Sequence, residues 1–272
     1  MNIESTNVSI TDEARNGRSA ICYAHLYHAD CFDIMPKIES KSIDLILADL
    51  PYGTTACKWD SVLPFDKLWN EYERLITDNG AIVLFGSQPF TSILINSNLN
   101  LFRYEIIWHK ERPTNPLFAK KGIMKYHENI CIFYKKMPVY NSQMTKKEEK
   151  NKRNNTPRNY VDGTKIETNK YSEMVLKGNA EHIYPNSVLR FNMERGLHPT
   201  QKPIELLKYL IKTYTNKGMT ILDNTMGSGS TGVAAKMLQR NFIGIEKELN
   251  YFEIAQKRID NTIIEPSIFD CA

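Results

Sequence analysis

Met219-Thr220-Ile221-Leu222-Asp223-Asn224-Thr225-Met226-Gly227-Ser228-Gly229-Ser230-Thr231-Gly232 decides the fold class of this chain. A short apolar run ends in an acid, three spaced glycines follow, and helical periodicity resumes from Val233 to about Arg240. This is G-x-G-x-x-G in the strand-turn-helix setting of a nucleotide-binding loop. Glycine lacks a Cβ, so it takes the tight turn and lets the backbone approach a ligand closely. The next apolar run, Asn241-Phe242-Ile243-Gly244-Ile245, ends at Glu246, where a carboxylate can accept hydrogen bonds from both hydroxyls of a ribose. The unit predicts a bound cofactor that contains ribose.

Outward from this loop, the pattern of the rest of the chain agrees with an α/β sheet. Ile21 to His28 reads as a strand, and Ala29 to Met35 opens a short helix with Asp30 at its N-cap. Ile43 to Ala48 is a nearly continuous apolar run, as expected for a strand covered on both faces, and it empties into Asp49-Leu50-Pro51-Tyr52-Gly53. Phe65, Leu68, Trp69, Tyr72, Leu75 and Ile76 recur at helical spacing and predict a helix ending near Asn79-Gly80. Ala81 to Phe85 is the next buried strand, with Gly86-Ser87 as its exit loop. Strands and helices in alternation predict parallel β-α-β units. Leu101 to Trp108 and Asn129 to Tyr134 have no strong helix between them, which predicts an antiparallel hairpin at the sheet edge. Pro203 opens a helix carrying Ile204, Leu207, Leu210, Ile211 and Tyr214 on one face, and a last helix runs from about Tyr251 to Thr262.

Composition bounds the function. At 272 residues, 42% hydrophobic and 24% charged, the chain has the make-up of an ordinary globular protein with room for a large core. No apolar stretch approaches the roughly 20 residues that span a membrane, the N-terminus lacks a signal-peptide core, and cytoplasmic residence is the expectation. Five scattered cysteines with no C-x-x-C pair argue against structural zinc or a disulfide framework, and no metal site is expected. The net charge of +4 conceals an asymmetry: Lys110 to Arg195 holds 18 Lys plus Arg against 9 Asp plus Glu. The middle of the chain is therefore basic and its two ends are acidic together. With Tyr126, Tyr134, Tyr140, Tyr160, Tyr171 and Tyr184 interleaved, the basic stretch suits a surface that meets phosphates and bases. A solvated insertion kept soluble by its lysines is the alternative. The expected organisation is a loose arm over 1–20, a catalytic domain made of 21–136 and 196–272, and an inserted basic segment over 137–195 that includes Lys146 to Arg153.

The ordered motifs resemble a known family. Asp49-Leu50-Pro51-Tyr52 resembles the Asp-Pro-Pro-Tyr catalytic motif of amino-directed DNA methyltransferases, and Asp223 to Gly232 resembles their S-adenosylmethionine loop. His198-Pro199-Thr200-Gln201-Lys202-Pro203 is similar to the family's segment just before the cofactor strand, and Trp108-His109-Lys110 with His127-Glu128 to its core hairpin. Catalytic motif first, basic insertion second and cofactor loop last is the order of the β group. The resemblance implies a Rossmann-like, doubly wound, mostly parallel sheet whose insertion recognises the DNA target. It implies methyl transfer from S-adenosylmethionine to adenine N6 in duplex DNA, with a homodimer and a cognate restriction endonuclease as possible partners. Asp30 and Cys31 would line the adenine pocket and Glu246 hold the ribose. Asp223, Thr225, Gly227, Gly229 and Ser230 would face the methionine part, and Thr200 and Lys202 its carboxylate. Asn224, Thr225 and Ser230 depart from the family loop, where Pro, Phe and Thr are usual.

The residue types suit this chemistry. An exocyclic amino nitrogen is a poor nucleophile because its lone pair is delocalised into the ring. Asp49 and the Leu50 carbonyl would each accept an amino hydrogen, favouring a tetrahedral nitrogen for in-line attack on the sulfonium methyl. Pro51 stiffens the loop, and Tyr52 offers a face for a base flipped out of the duplex. Thr54 to Asp60 is expected to form a lid or DNA-facing loop, and His109 and His127 to be structural. Asp30 as a simple cap, Glu246 as a solvated acid and Lys202 as a surface charge are the plainer alternatives. Cytosine-N4 transfer remains open, with Asp49 favouring adenine by family analogy because the cytosine enzymes tend to carry Ser there. A nicotinamide-dependent dehydrogenase would share the glycine loop but leave Asp49 to Tyr52 and the basic segment unexplained. A catalytically dead DNA-binding module would not need Asp49 and Glu246.

Overall fold

A computed structural model describes residues 4–10, 22–53, 61–146, 160–161, 164–165, 182–194 and 201–264. The chain divides into two compact units, one of Met1–Asn141 with Ser187–Ala272 and one of Ser142–Asn186.

The first unit is built on a sheet whose described strands are β1 (Glu4–Ile10), β2 (Cys22–His28), β3 (Ile43–Ala48), β4 (Ile76–Gly86), β5 (Phe102–His109), β6 (His127–Phe133), β11 (Val188–Arg190), β12 (Thr220–Asp223) and β13 (Asn241–Glu246). Their order is β1-β2-β13-β12-β3-β4-β6-β5-β11. β2, β13, β12, β3 and β4 run parallel to one another, β6 is antiparallel to both β4 and β5, and β1 is antiparallel to β2. The sheet is therefore doubly wound and mostly parallel. From β3 the chain moves outward to β4, whereas from β12 it moves the opposite way to β13. The crevice beyond the C-terminal ends of β3 and β12 is thus the switch point, where ligands bind in open α/β sheets.

Period-two alternation sorts the strands onto two layers. Leu45, Leu47, Ala81, Val83, Phe85, Ile130, Ile132 and Ile221 pack in one apolar cluster with α4 (Ile204–Tyr214), α5 (Ser230–Met237) and α6 (Leu249–Asp260). Ile46, Ala48, Ile82, Leu84, Cys131, Phe133 and Leu222 pack in the other with α1 (Cys31–Ile34), α2 (Phe65–Leu75) and α3 (Phe90–Ser97). Burial on both faces is why these strands read as continuous apolar runs.

Four features differ from the sequence expectation. Glu4–Ile10 is an edge strand rather than part of a loose arm; Thr6, Val8 and Ile10 carry the alternating β-branched pattern that signals it. α2 stops at Leu75, and Ile76 already pairs with Ile43, so Asn79-Gly80 lies in a bulge of β4 before Ala81 pairs with Leu45. α3 is a two-turn helix with Phe90, Thr91 and Leu94 buried; its β-branched Thr91, Ile93 and Ile95 disfavour helix, and packing overrides that propensity. The β5-β6 hairpin forms as expected but is not the outermost element, because β11 adds parallel to β5. Residues 187–194 thus belong to the sheet unit, fastened where the Trp108 indole donates to the Phe191 carbonyl at 2.8 Å.

The second unit is described at two short antiparallel pairs, β7 (Thr145–Lys146) with β10 (His182–Ile183) and β8 (Tyr160–Val161) with β9 (Thr164–Lys165). No described helix is long and apolar enough to cross a membrane.

Candidate functional site

The ends of β2, β3, β12 and β13 open onto one cavity of about 1150 Å³ in the first unit. Asp30, Cys31, Asp49, Leu50, Pro51, Tyr52, Lys202, Asp223, Thr225, Gly227, Ser230 and Glu246 all line it. Sequence positions more than 200 residues apart therefore converge: Lys202 enters from the segment before α4, and the others follow or end parallel strands around the switch point. Gly229 is not among the lining residues, and Thr200 and the Thr54 to Asp60 loop lie outside the described residues.

The Asp49 loop is held from several sides. The Leu50 side chain is buried, and the Thr225 hydroxyl donates to the Asp49 carbonyl at 3.1 Å. Thr225 thus ties the loop after β12 to the loop after β3, a contact that a Phe at this position would not make. The Tyr52 hydroxyl donates to Asp49 Oδ1 at 2.7 Å. Its ring stacks on Phe90 with centroids 4.8 Å apart, so α3 supports Tyr52 from one face. Burial, reinforced by Asp49, pushes the Tyr52 phenol well above its ordinary range and keeps it a hydroxyl donor.

Behind Asp49 lies a row of alternating charges. Lys202 pairs with Asp49 Oδ2 and lies 3.5 Å from Glu128 Oε2, and Lys110 pairs with Glu128 Oε1. The Lys202 ammonium sits over the Phe85 ring at 4.9 Å and the Lys110 ammonium over Trp108 at 4.4 Å. Burial disfavours each charge, but the partners offset it: Glu128 is held below its usual range by Lys202 and Lys110, and Lys202 above its own by Asp49 and Glu128. Burial dominates only at Lys110, whose ammonium is pulled down. Glu128 and Lys110 were visible in the sequence as part of the hairpin motif but carried no assigned role. The signal available was a charge at the end of each of two apolar strands. Lys202, expected on the cofactor carboxylate, lines the cavity with its ammonium beside Asp49.

The opposite end of the cavity is a backbone cradle. Glu246 Oε2 accepts from the Gly227 N–H and Oε1 from the Glu248 N–H, both at 2.8 Å. Burial raises the Glu246 pKa, and these backbone donors partly offset that. Gly229 takes a left-handed φ of 77°, and a Cβ there would lie 2.9 Å from the Ala255 Cα. Gly229 therefore lets α5 start against α6 rather than touching the cavity. Arg258 donates to the Ser228 carbonyl at 2.6 Å and to the Ser230 hydroxyl at 3.1 Å, bracing the same turn. Asp30 caps α1 by accepting from the Phe32 N–H at 3.0 Å and pairs with Lys247 at 3.2 Å. Burial pushes the Cys31 thiol up to about 11, so it packs as a neutral group.

Asp223 is buried at the wall of the cavity, and burial pushes its pKa up to about 7 even though Thr231 and the Thr225 N–H donate to it. A folded-state pKa above the unfolded value of about 3.9 means that ionised Asp223 costs stability above neutral pH, a cost relieved as pH falls from about 7 toward 4. Asp223→Asn is expected to stabilise the protein by roughly 2–4 kcal/mol at pH 8, an advantage that shrinks by more than half at pH 5. Calorimetric melting of both proteins at the two pH values checks this; an advantage independent of pH would overturn it.

Comparison with known proteins bears on this site. A family model described as DNA methylase matches residues 43–257. The chain is 30% identical over 262 residues to the type II methyltransferase M2.MboI of Moraxella bovis, covering 86% of each protein. It is 29% identical over 250 residues to the DNA adenine methyltransferase YhdJ of Escherichia coli K12, covering 86% of this chain and 82% of that one. Among solved structures, a complex of M1.HpyAVI with S-adenosylmethionine superposes with a TM-score of 0.58 at 28% identity, over 86% of this chain and 99% of the other. The cytosine-N4-specific PvuII DNA methyltransferase shares the fold, with a TM-score of 0.62 at 16% identity over 91% and 90% of the two chains.

Proposed function

We propose, from the premise that this chain belongs to the N6/N4 DNA methylase family, that it transfers a methyl group from S-adenosylmethionine to the N6 amino group of adenine in duplex DNA. The observation that carries the proposal is that the Asp49 carboxylate and the Glu246–Gly227 cradle open onto one cavity. The residues present fit the cofactor: the cavity is large enough for it, and an acid at the end of β13 stands beside a glycine turn, where a ribose would be held. When bound, S-adenosylmethionine supplies an electrophilic sulfonium methyl.

The chain's own residues would do the rest. Glu246 would accept from the ribose hydroxyls, with Asp30 and Cys31 beside the adenine. Asp223, Thr225, Gly227 and Ser230 would border the methionine part. Asp49 would accept one amino hydrogen of the target adenine and the Leu50 carbonyl the other, drawing the nitrogen toward a tetrahedral form. Pro51 would stiffen the turn that aims the carbonyl, and Tyr52 would orient Asp49 through its hydroxyl while its ring borders the flipped base. Burial holds the Tyr52 hydroxyl protonated, so it donates to Asp49 and does not compete as a base. The methylated nitrogen releases its proton readily, and no dedicated base is required.

Asp49, in place of the Ser usual in cytosine enzymes, supports adenine, as does the name of the Escherichia coli relative. The part of the basic segment that forms the second unit, Ser142–Asn186, would contact the DNA target, with lysines on phosphates and polar side chains on base edges. Type II relatives also suggest a cognate endonuclease, and a homodimer and cytoplasmic residence fit the same reading. The test is to incubate the protein with labelled cofactor and unmethylated duplex DNA, digest to nucleosides, and identify the product. N6-methyl-2′-deoxyadenosine is expected; N4-methyl-2′-deoxycytidine would overturn the base assignment, and absence of label from DNA of diverse sequence would overturn the activity.

A further inference from the structure

We infer that Lys202 and Glu128 are positioning residues for the proposed catalytic carboxylate, Lys202 holding Asp49 and Glu128 holding Lys202, rather than Lys202 being a ligand of the cofactor. The inference rests on the methyl-transfer reading above and deepens it. Its basis is geometric. Lys202 precedes α4 and is buried to 7% exposure, with its ammonium between two carboxylates from different strands, Asp49 after β3 and Glu128 on β6. Phe85 closes the side under its ring contact, and Lys110 neutralises the far oxygen of Glu128. Two cations and two anions alternate, so the row carries no net charge, and removal of any member leaves a buried charge unpaired.

The arrangement constrains Asp49 in particular. Tyr52 engages one carboxylate oxygen and Lys202 the other, which fixes the plane of the group and leaves the remaining lone pairs for an incoming amino hydrogen. Without Lys202 the carboxylate can turn about its own bond. A misplacement of an acceptor by 1 Å costs about 10²-fold in rate. Glu128 acts at one remove: it sets where the ammonium rests between β3 and β6, and Lys110 in turn holds Glu128.

A cofactor-carboxylate ligand and an aspartate-positioning residue predict opposite kinetics, and this separates them. With the full chain, unmethylated genomic DNA and S-adenosylmethionine, Lys202→Met is expected to lower kcat at saturating cofactor about 10²-fold, with cofactor Kd by calorimetry within about 3-fold of wild type. Glu128→Gln is expected to lower kcat about 10-fold by itself and less than about 2-fold further in the Lys202→Met background, because it acts through Lys202. Glu128→Asp should recover part of the loss. A cofactor Kd weakened 10-fold or more by Lys202→Met with kcat retained would overturn the inference in favour of a cofactor ligand, and so would independent, multiplying losses in the double variant. If Lys202→Met does not fold, Lys202→Arg takes its place: kcat reduced about 10-fold with Kd unchanged supports the inference, and unchanged kcat overturns it. Failure of the wild-type protein itself to methylate DNA would be a failure of the proposed function, distinguishable from either result.

Discussion

Asp49→Ala is expected to reduce methyl transfer by at least ~10³-fold while cofactor affinity stays within a few-fold of wild type. The carboxylate sits at the end of β3 with Tyr52 on one oxygen and Lys202 on the other, and the cradle built on Glu246 and Gly227 makes no use of it. Its removal takes away the acceptor for the amino hydrogen, an interaction that strengthens as the nitrogen becomes tetrahedral, so the loss falls on kcat. It also leaves Lys202 and Lys110 sharing a single anion, Glu128, which costs stability. Asp49→Asn keeps the volume and one acceptor oxygen, and the pair of variants separates charge from shape. The measurement is label incorporated into unmethylated DNA at saturating cofactor, with calorimetric Kd for S-adenosylhomocysteine in parallel. Activity retained in both variants would mean that the motif after β3 is not the catalytic one.

Glu246→Gln is expected to weaken cofactor binding about 10²-fold, with the residual kcat at saturating cofactor much less affected. Each Glu246 oxygen already accepts from a backbone N–H, Gly227 on one and Glu248 on the other. A carboxylate has lone pairs left for two ribose hydroxyls, and a hydrogen bond to a charged group contributes about 1.5–3 kcal/mol. The amide of Gln places an NH2 against one of those N–H donors, so the glycine turn must shift as well as lose the charge. Titration of S-adenosylhomocysteine into both proteins reads the effect. Unchanged affinity would remove Glu246 from the cofactor site.

Much of this is legible in the sequence. The strands β3, β12 and β13 were readable because burial on both sheet faces makes them apolar without interruption, and the loop after β12 because glycines are needed where the backbone turns sharply. Asp30 as an N-cap was equally legible, since capping is local. What escaped was non-local. α3 carries Thr91, Ile93 and Ile95, β-branched residues that do not favour helix, and it exists because Phe90, Thr91 and Leu94 pack under β4 and β6. Strand β1 is signalled only by the alternation of Thr6, Val8 and Ile10 over seven residues, too short a run to stand out beside the polar residues around it. Gly229 belongs by sequence to the glycine loop, and the close approach of α6 at Ala255 is what demands a residue without Cβ there.

The order of motifs along the chain therefore determined the fold class, the kind of cofactor and the class of chemistry, because each rests on local patterns of burial, turn geometry and residue type. Tertiary structure alone decided where the charges stand. Lys110 and Glu128 meet on the β5-β6 hairpin, and they reach Asp49 through Lys202 only because β6 pairs with β4 and the segment before α4 passes behind the end of β3. A buried charge is placed by whatever partner neutralises it, and that partner can be far away in sequence.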